Sequence, residues 1–297
     1  MRQPPVPEGP APSYETLADA WKVLAQRDGL ALRVIPCGGT SRSIMLVDIE
    51  TTGGAPAVAL SAGVHGDEPA APWALLSLVR DGLLDKRFRY RVWCCNNPSG
   101  YALGSRTNAD GDDINRSFSR DGGSATTSEA RAIERTNVGA SFALSLDLHE
   151  DYEARGFYCY EPLVEGSAPL GRGVIAALDG AGLPVEELDE GFDLGYPAAA
   201  THLRTLERGR VLPDVEAEVR HFEGLPYSMY LLWTGTAQRT MTLEAPRCLA
   251  WEKRVAILRV AVVAALKGLV ALLRGDDRSV TDNDELSLQE SAGTDNQ

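Results

Sequence analysis

The chain has 297 residues with 44% hydrophobic content, a formal net charge of −13 and an isoelectric point near 4.8. The length allows one large domain or two small ones, and the negative charge disfavours nucleic acid and anionic membrane surfaces as partners because like charges repel. The five cysteines include no C-x-x-C pair, so we predict reduced thiols and a cytoplasmic protein.

The two ends of the chain differ in composition from the middle. Residues 1–13 are rich in proline and lack the apolar stretch of a signal peptide, so we predict a flexible segment there. Residues 275–297 are acidic and poor in apolar side chains, a composition typical of disorder. The apolar run 257–274 is interrupted by an Arg and a Lys, which favours a packed helix over a membrane span. Residues 14–274 remain as a single predicted domain.

Apolar runs of strand length alternate with amphipathic segments along this domain. The predicted helices are 14–27, 69–84, 128–136, 170–182 and 250–274. The predicted strands are 31–35, 43–50, 57–63, 90–95, 142–148, 157–160 and 239–245. Residues 184–235 show no clear period and are left unassigned. The alternation predicts an α/β fold, a single three-layer domain with a mixed, mostly parallel sheet.

Polar side chains follow predicted strands at the points where the strands end. His65 and Glu68 come after the strand 57–63, and His149 comes directly after the strand 142–148. Ligands of open α/β sheets gather at the carboxyl ends of the strands, so we expect these groups to meet. Two His and one carboxylate form a known catalytic zinc set that leaves a position for water. The sequence therefore predicts one zinc ion per chain, held by these three side chains; the alternative is a polar turn without a metal.

A short loop of residues 105–118, here called the arginine loop, gathers charged and amide side chains. Arg106 and Arg116 each offer a planar fork that matches a carboxylate, and Asn115 adds a neutral donor beside them. Zinc-bound His usually donates its second ring nitrogen to a carboxylate, and we assign that role to Asp113. The alternative interpretation is a solvated loop built from turn-forming Asn, Asp and Gly.

Glu244 stands at the end of the predicted strand 239–245. In a metal site such a carboxylate can accept a proton from the attacking water and pass it to a leaving nitrogen. The alternative is an ordinary strand-end Glu in solvent. The other two histidines, His202 and His221, are predicted to be structural or solvated.

Taken in chain order, these motifs resemble the zinc carboxypeptidase superfamily. The H-x-x-E pair, the R…D-x-N-R loop, the strand-end His and the strand-end Glu before the closing helix follow the order of that superfamily. The likeness is strongest to its succinylglutamate desuccinylase and aspartoacylase branch and to bacterial peptidases close to it. It lies in the stretches GVHGDEPA, NNPSG, DINRSF and DLHED. The matched motifs span residues 57–246.

The resemblance implies a zinc-carboxypeptidase-like fold and specific roles for the matched residues. It implies that Arg106 stabilises the oxyanion of the tetrahedral intermediate, and that Asn115 and Arg116 hold the free carboxylate of the substrate. Glu244 is then the general base and afterwards the general acid. Asp113 orients the first of the two zinc-bound histidines.

For some features of the family, the sequence offers more than one candidate or no clear match. Tyr227 and Tyr230 both fit the family's mobile tyrosine, and Tyr227 is the candidate for substrate binding. Arg155 and Arg204 are candidates for a substrate with several carboxylates. The β-rich C-terminal domain of the aspartoacylase branch has no clear counterpart, and the closing helix follows the catalytic Glu as in the peptidases. This arrangement favours a peptide-type amide.

The predicted function is therefore a zinc-dependent hydrolase that cleaves an amide bond next to a free carboxylate, in the manner of a metallocarboxypeptidase. The alternatives are an N-acyl amino acid deacylase and a non-catalytic relative that binds a metal or a carboxylate. A serine or cysteine hydrolase is disfavoured because no G-x-S-x-G motif is visible. The expected partner is a small amide or peptide with a carboxylate, without nucleic acid or membrane. The oligomeric state, a second metal, and whether Glu150 and Asp151 line the pocket or cap a turn stay open.

Overall fold

The computed structural model of the protein describes residues 11–37, 42–51, 53–120, 124–163, 168–189, 191–192 and 204–275. His202 and nearly all of the two predicted terminal segments, 1–13 and 275–297, lie outside these residues. The predictions for those positions therefore stay predictions.

Nine strands of the described residues form one mixed sheet. They are β1 (Ala31–Ile35), β2 (Ile44–Ile49), β3 (Ala57–Ala62), β4 (Arg89–Trp93), β5 (Leu144–Asp151), β6 (Tyr158–Tyr160), β7 (Arg204–Glu207), β8 (Arg210–Pro213) and β9 (Thr240–Pro246). Their order across the sheet is β1-β2-β4-β3-β5-β9-β6-β8-β7. The four central strands, β4, β3, β5 and β9, run parallel to one another, and antiparallel pairs lie towards both edges. The predicted α/β domain with a mixed sheet is confirmed.

Helices cover both faces of this sheet. In the described residues they are α1 (Tyr14–Asp28), α2 (Ala70–Arg80), α3 (Pro98–Leu103), α4 (Ser128–Asn137), α5 (Gly171–Gly180), α6 (Val215–His221), α7 (Tyr227–Trp233) and α8 (Trp251–Leu273). Buried side chains of α1, α2, α5 and α8 form one core with the sheet, and those of α4, α6 and α7 form a second core. The result is three layers, as predicted.

The two cores follow from the two-residue period of the strands. In β2, Met45 and Val47 join the first core, whereas Ile44 and Leu46 join the second. Because both faces of the sheet are covered, its strands appear in the sequence as nearly continuous apolar runs. In β5, Leu144, Leu146 and Leu148 join the first core. The alternate residues of β5, which include His149, therefore face the other way.

The closing helix α8 is packed into the first core. It is 23 residues long, and it packs against α2 and α5. By length and composition it is the one helix in the described part of the chain that could cross a membrane, a test that the core helix of a soluble protein also passes. Half of its most apolar 18-residue stretch is buried inside the protein. The helix therefore covers the sheet with much of its apolar surface.

The structure differs from the sequence predictions in three places. β5 continues through His149 to Asp151 instead of ending before His149, because these residues pair with β9. The unassigned residues 184–235 contain β7, β8, α6 and α7, which are four to seven residues long and too short to show a period. α3 is absent from the predicted elements, although Asn97 caps it and a Pro occupies its first turn.

Candidate active site

The carboxyl ends of β3, β5 and β9 bring the predicted zinc ligands and Glu244 to one place. These three strands are neighbours in the sheet, with Ala62 paired to Leu148 and His149 paired to Glu244. His65 and Glu68 follow β3 by a short turn. The placement confirms the expectation that the polar strand ends meet at one edge of the sheet.

Two glycines allow the tight turn between β3 and α2. Gly63 has a positive φ of 67°, a conformation that side-chain-bearing residues rarely adopt. Gly66 packs so closely on α3 that a Cβ atom there would lie 1.9 Å from the Gly100 carbonyl carbon. The turn that carries His65 and Glu68 is thus fixed against a neighbouring helix.

The side chains of His65, Glu68 and His149, here called the metal cluster, converge in a buried position. His65 Nδ1 lies 2.6 Å from Glu68 Oε1, and His149 Nδ1 lies 2.9 Å from Glu68 Oε2. One ligand atom from each residue lies within 4.8 Å of the others, and all three side chains are buried. Two imidazoles and a carboxylate at this spacing fit a zinc ion with three protein ligands.

A carboxylate stands behind each imidazole of the metal cluster. His149 Nε2 lies 3.0 Å from Asp147 Oδ2, and His65 Nε2 lies 3.4 Å from Asp113 Oδ1, which is longer than a strong hydrogen bond. Such partners fix the tautomer and the orientation of the ring, so each Nδ1 faces Glu68. Asp113, which the sequence analysis assigned to orient His65, lies next to the ring of that histidine. Asp147 was missed, although its position two residues before His149 puts both on the same face of β5.

The electrostatics of the metal cluster favour positive charge beside Glu68. Burial disfavours the charged form of Glu68, but His65 and His149 outweigh that effect and hold the pKa of its carboxyl well below the usual range. Burial acts to lower the pKa of His149, while Glu68 and Asp147 raise it well above the ordinary value. Buried carboxylates that stabilise a nearby cation are what a divalent metal site requires.

The arginine loop is folded around Asp113. The Asp113 carboxylate accepts a hydrogen bond from the Asn115 backbone N–H at 2.9 Å, which begins the 3₁₀ turn Ile114–Arg116. It also accepts from Arg106 Nε at 3.2 Å, and Arg106 Nη1 lies 3.5 Å from His65 Nδ1. The predicted oxyanion-binding Arg106 therefore stands beside the metal cluster.

Asn115 and Arg116, both in the 3₁₀ turn, face a cleft that also contains the metal cluster. Asn115 is buried, and its Oδ1 accepts a hydrogen bond from the Tyr227 backbone N–H at 2.9 Å. Arg116 Nη1 donates to the Asn115 carbonyl oxygen at 2.8 Å. Both side chains line the cleft together with the metal cluster, which places amide and guanidinium donors where a carboxylate of a ligand could bind.

Glu244 is buried at the floor of the cleft. It is 9% exposed and pairs across the sheet with His149 on one side and Tyr158 on the other. Burial raises the pKa of Glu244 to about 8, against the opposing effect of the His149 charge. A raised carboxyl pKa suits a group that returns a proton to a leaving group.

The cleft has a volume of about 540 Å³ and a strongly acidic lining. Its charged lining residues in the described chain include seven carboxylates and two arginines. These are Glu68, Asp113, Glu150, Asp151, Glu153, Glu218, Glu244, Arg106 and Arg116. Tyr152, Tyr158 and Tyr160 add an aromatic wall, and the Tyr158 hydroxyl donates a hydrogen bond to Asp151. The sequence prediction missed these three tyrosines, which follow the third proposed ligand on and around β6.

The structure does not place Tyr227 as predicted. Its side chain is fully buried against Phe118, in the second core, and it is not among the residues that line the cleft. The neighbouring Ser228 and Met229 line the cleft instead. The ring of the other candidate, Tyr230, stacks on Phe118. The assignment of substrate binding to the Tyr227 side chain is therefore corrected: this side chain packs the core.

The further candidates from the sequence lie away from the metal cluster or serve the fold. Arg204 is buried in an ion pair with Glu218 at 2.7 Å, and neither Arg204 nor Arg155 lines the cleft. Glu150 lines the cleft only in part, since its side chain is buried in contacts with α2 and α8. His221 ends α6 on the surface.

Comparisons with known proteins match the part of the chain that carries most of this site. Residues 54–191 match the family model described as Succinylglutamate desuccinylase/Aspartoacylase catalytic domain. The part of the chain that carries the metal cluster and the arginine loop is thus similar to a hydrolase catalytic domain. The resemblance predicted from the sequence is thereby confirmed. The matched residues include the metal cluster and the arginine loop, whereas Glu244 lies beyond them.

One curated relative matches over a short segment of sequence, and solved structures match in fold. Murein peptide amidase A of Escherichia coli K12 is 38% identical over 79 residues, and the match spans 27% of this chain and 31% of that protein. A candidate metallopeptidase from Shewanella amazonensis SB2B has a TM-score of 0.64 at 24% identity, covering 88% of this chain and 92% of that one. Carboxypeptidase A from Helicoverpa armigera has a TM-score of 0.60 at 15% identity, and the match covers 89% of this chain and 75% of that one. At these identities the structures show a shared carboxypeptidase-like fold.

Proposed function

We propose that the protein is a zinc-dependent hydrolase that cleaves an amide bond next to a free carboxylate. The observation that carries the proposal is the buried metal cluster, which opens on a cleft shared with Glu244 and Arg106. The match to a hydrolase catalytic domain supports it. When bound, zinc would polarise a carbonyl group and lower the pKa of water towards neutrality.

Residues of the chain would supply proton transfer, oxyanion stabilisation and substrate binding. Glu244 takes a proton from the attacking water at its carboxylate and returns it to the leaving nitrogen. Arg106 directs guanidinium N–H groups at the oxygen that gains negative charge in the transition state. Asn115 and Arg116 hold the substrate carboxylate, and this fixes the position of the scissile bond over the cleft floor.

The charge of the cleft favours a peptide-type amide. Two arginines and seven carboxylates line the described cleft. Glu218 and Glu150 are paired with Arg204 and Arg254, but the other carboxylates still outnumber the two arginines, so a substrate with several carboxylates meets repulsion outside the arginine loop. A substrate with one carboxylate, held by Asn115 and Arg116, avoids that repulsion. The second candidate is an N-acyl amino acid deacylase, which the matched family favours. We also propose that the protein acts without nucleic acid or membrane, in line with its net charge of −13.

The experiment compares matched substrates with zinc-loaded protein. A dipeptide with a free C-terminus, the same dipeptide with an amidated C-terminus, and an N-acyl aspartate are tested at equal concentration. We expect hydrolysis of the free dipeptide, and at least about 100-fold slower hydrolysis of the amidated one because the donors of the arginine loop lose their partner. Faster hydrolysis of the N-acyl aspartate would favour the deacylase. Zinc binding without hydrolysis of any amide would contradict the proposed activity.

A further inference from the structure

Glu150 directly follows a proposed zinc ligand and is a buried carboxylate. It is 2% exposed, and the alternation of β5 turns its side chain away from that of His149. A buried carboxylate is costly unless charges and hydrogen-bond donors surround it. The structure should therefore show partners that hold Glu150 in place.

The partners of the Glu150 side chain come from two helices. Its Oε2 accepts a hydrogen bond at 2.7 Å from the backbone N–H of Ala70, the first residue of α2. Its Oε1 forms an ion pair with Arg254 of α8, and Arg247 lies 3.9 Å from Oε2. α2 has Pro69 at its N-cap and no cap from its own side chains, so Glu150 supplies the cap from the neighbouring strand.

The Glu150 backbone contacts the metal cluster itself. Its N–H donates at 3.1 Å to Glu68 Oε2, the same oxygen that lies 2.9 Å from His149 Nδ1. Glu68 stands two residues before α2, so the position of this helix start also sets the position of Glu68. One residue thus joins the end of β5, the start of α2 and the N-terminal turn of α8.

We propose that Glu150 is a positioning residue for the metal cluster, which holds Glu68 against His149 by capping α2 and pairing with Arg254. The proposal rests on the proposed zinc function. It assigns α8 a role beyond covering the sheet, because Arg254 neutralises the charge that caps α2.

A second buried glutamate in the same chain provides a matched control. Glu161 accepts hydrogen bonds from Leu170 N at 2.5 Å and from Gly171 N at 3.1 Å at the start of α5, and it pairs with Arg210 at 2.7 Å. Its burial and its chemistry are those of Glu150, but α5 carries none of the proposed site residues. A purely structural role predicts the same behaviour for both glutamates.

The test measures zinc affinity by chelator competition and the Tm of the metal-free full-length chain for Glu150→Ala, Glu150→Gln and Glu161→Ala. We expect Glu150→Ala to raise the zinc Kd by about 10- to 100-fold, as for other residues that orient metal ligands. Glu150→Gln keeps an acceptor for Ala70 N, so a smaller rise is expected. Glu161→Ala should lower Tm and leave the zinc Kd within about twofold of wild type.

The outcomes separate this proposal from the proposed function. Zinc binding by wild type, with unchanged zinc Kd in both Glu150 variants, would overturn the positioning role and leave the hydrolase intact. An equal rise of the zinc Kd in Glu161→Ala would also overturn it. A wild-type protein that takes up no zinc would overturn both. If Glu150→Ala does not fold, Glu150→Gln alone decides, because an unchanged Kd in that variant overturns the role.

Discussion

The floor of the cleft and the arginine loop hold their functional groups by different means. The floor consists of the metal cluster and Glu244, whose side chains stand on strand ends or on a turn fixed by glycine, and all of them are buried. In the loop, the Arg106 side chain is 48% exposed and Asp113 is 23% exposed. Asp113 caps a short 3₁₀ turn and forms an ion pair with Arg106. The difference indicates that chemistry is placed on the rigid sheet and recognition on the adaptable loop.

The largest expected effect comes from the floor. Glu244→Gln removes the carboxylate that exchanges protons but keeps the shape of the side chain. We expect kcat to fall by about 10²- to 10⁴-fold with little change in KM or in zinc content. Steady-state kinetics and elemental analysis of the same preparation check this. Unchanged kcat would mean that Glu244 is an ordinary strand-end residue.

A change in the arginine loop should act on binding. Arg116→Ala removes a donor for the substrate carboxylate, and we expect KM to rise by about 10- to 100-fold with a smaller change in kcat. The preference for a free over an amidated C-terminus should shrink as well. Arg172→Ala, at an exposed position of α5, is the control and should leave KM unchanged. A selective loss of kcat in Arg116→Ala would instead place this residue in the chemical step.

Substitution of the two carboxylates that contact the imidazoles, Asp147 and Asp113, compares the floor with the arginine loop directly. Asp147 lies 3.0 Å from its His and is buried, whereas Asp113 lies 3.4 Å from its His and is partly exposed. We expect Asp147→Asn to raise the zinc Kd by about 10-fold or more, and Asp113→Asn to raise it less. Chelator competition measures both. The reverse order would show that the loop, and not the floor, sets the orientation of the ligands.

The smallest effect is expected for Tyr227. Its ring packs in the second core, so Tyr227→Phe keeps the packing and removes only the hydroxyl. We expect kcat/KM to change by less than about twofold. A large loss of kcat would show that the hydroxyl reaches the substrate in a conformation other than the one described.

The sequence predicts the sheet and the floor better than the cleft walls. Alternating and continuous apolar runs mark the central strands, and the strand ends carry His65, His149 and Glu244, so topology alone brings them together. The wall around α6 and α7 consists of short elements without a readable period. Which side of α7 faces the cleft depends on its packing against Phe118, a contact distant in sequence, so the sequence alone does not predict that the Tyr227 ring lies in the core.

The helix caps show the same limit. Asn97 before a Pro is a local sequence signal for the start of α3. The cap of α2 comes from Glu150, which is 80 residues away in the chain, and no local pattern reveals it. The sequence predicts contacts that follow from local periods and strand order, and it does not predict side-chain contacts between distant elements.

The central claim is that the metal cluster binds zinc. The most direct measurement is elemental analysis of purified wild type beside His65→Ala and His149→Ala, each checked for folding by circular dichroism. We predict about one zinc per chain in wild type and its loss in both variants. A folded wild type without metal, even after dialysis against zinc, or variants that retain the full zinc content, would contradict the account.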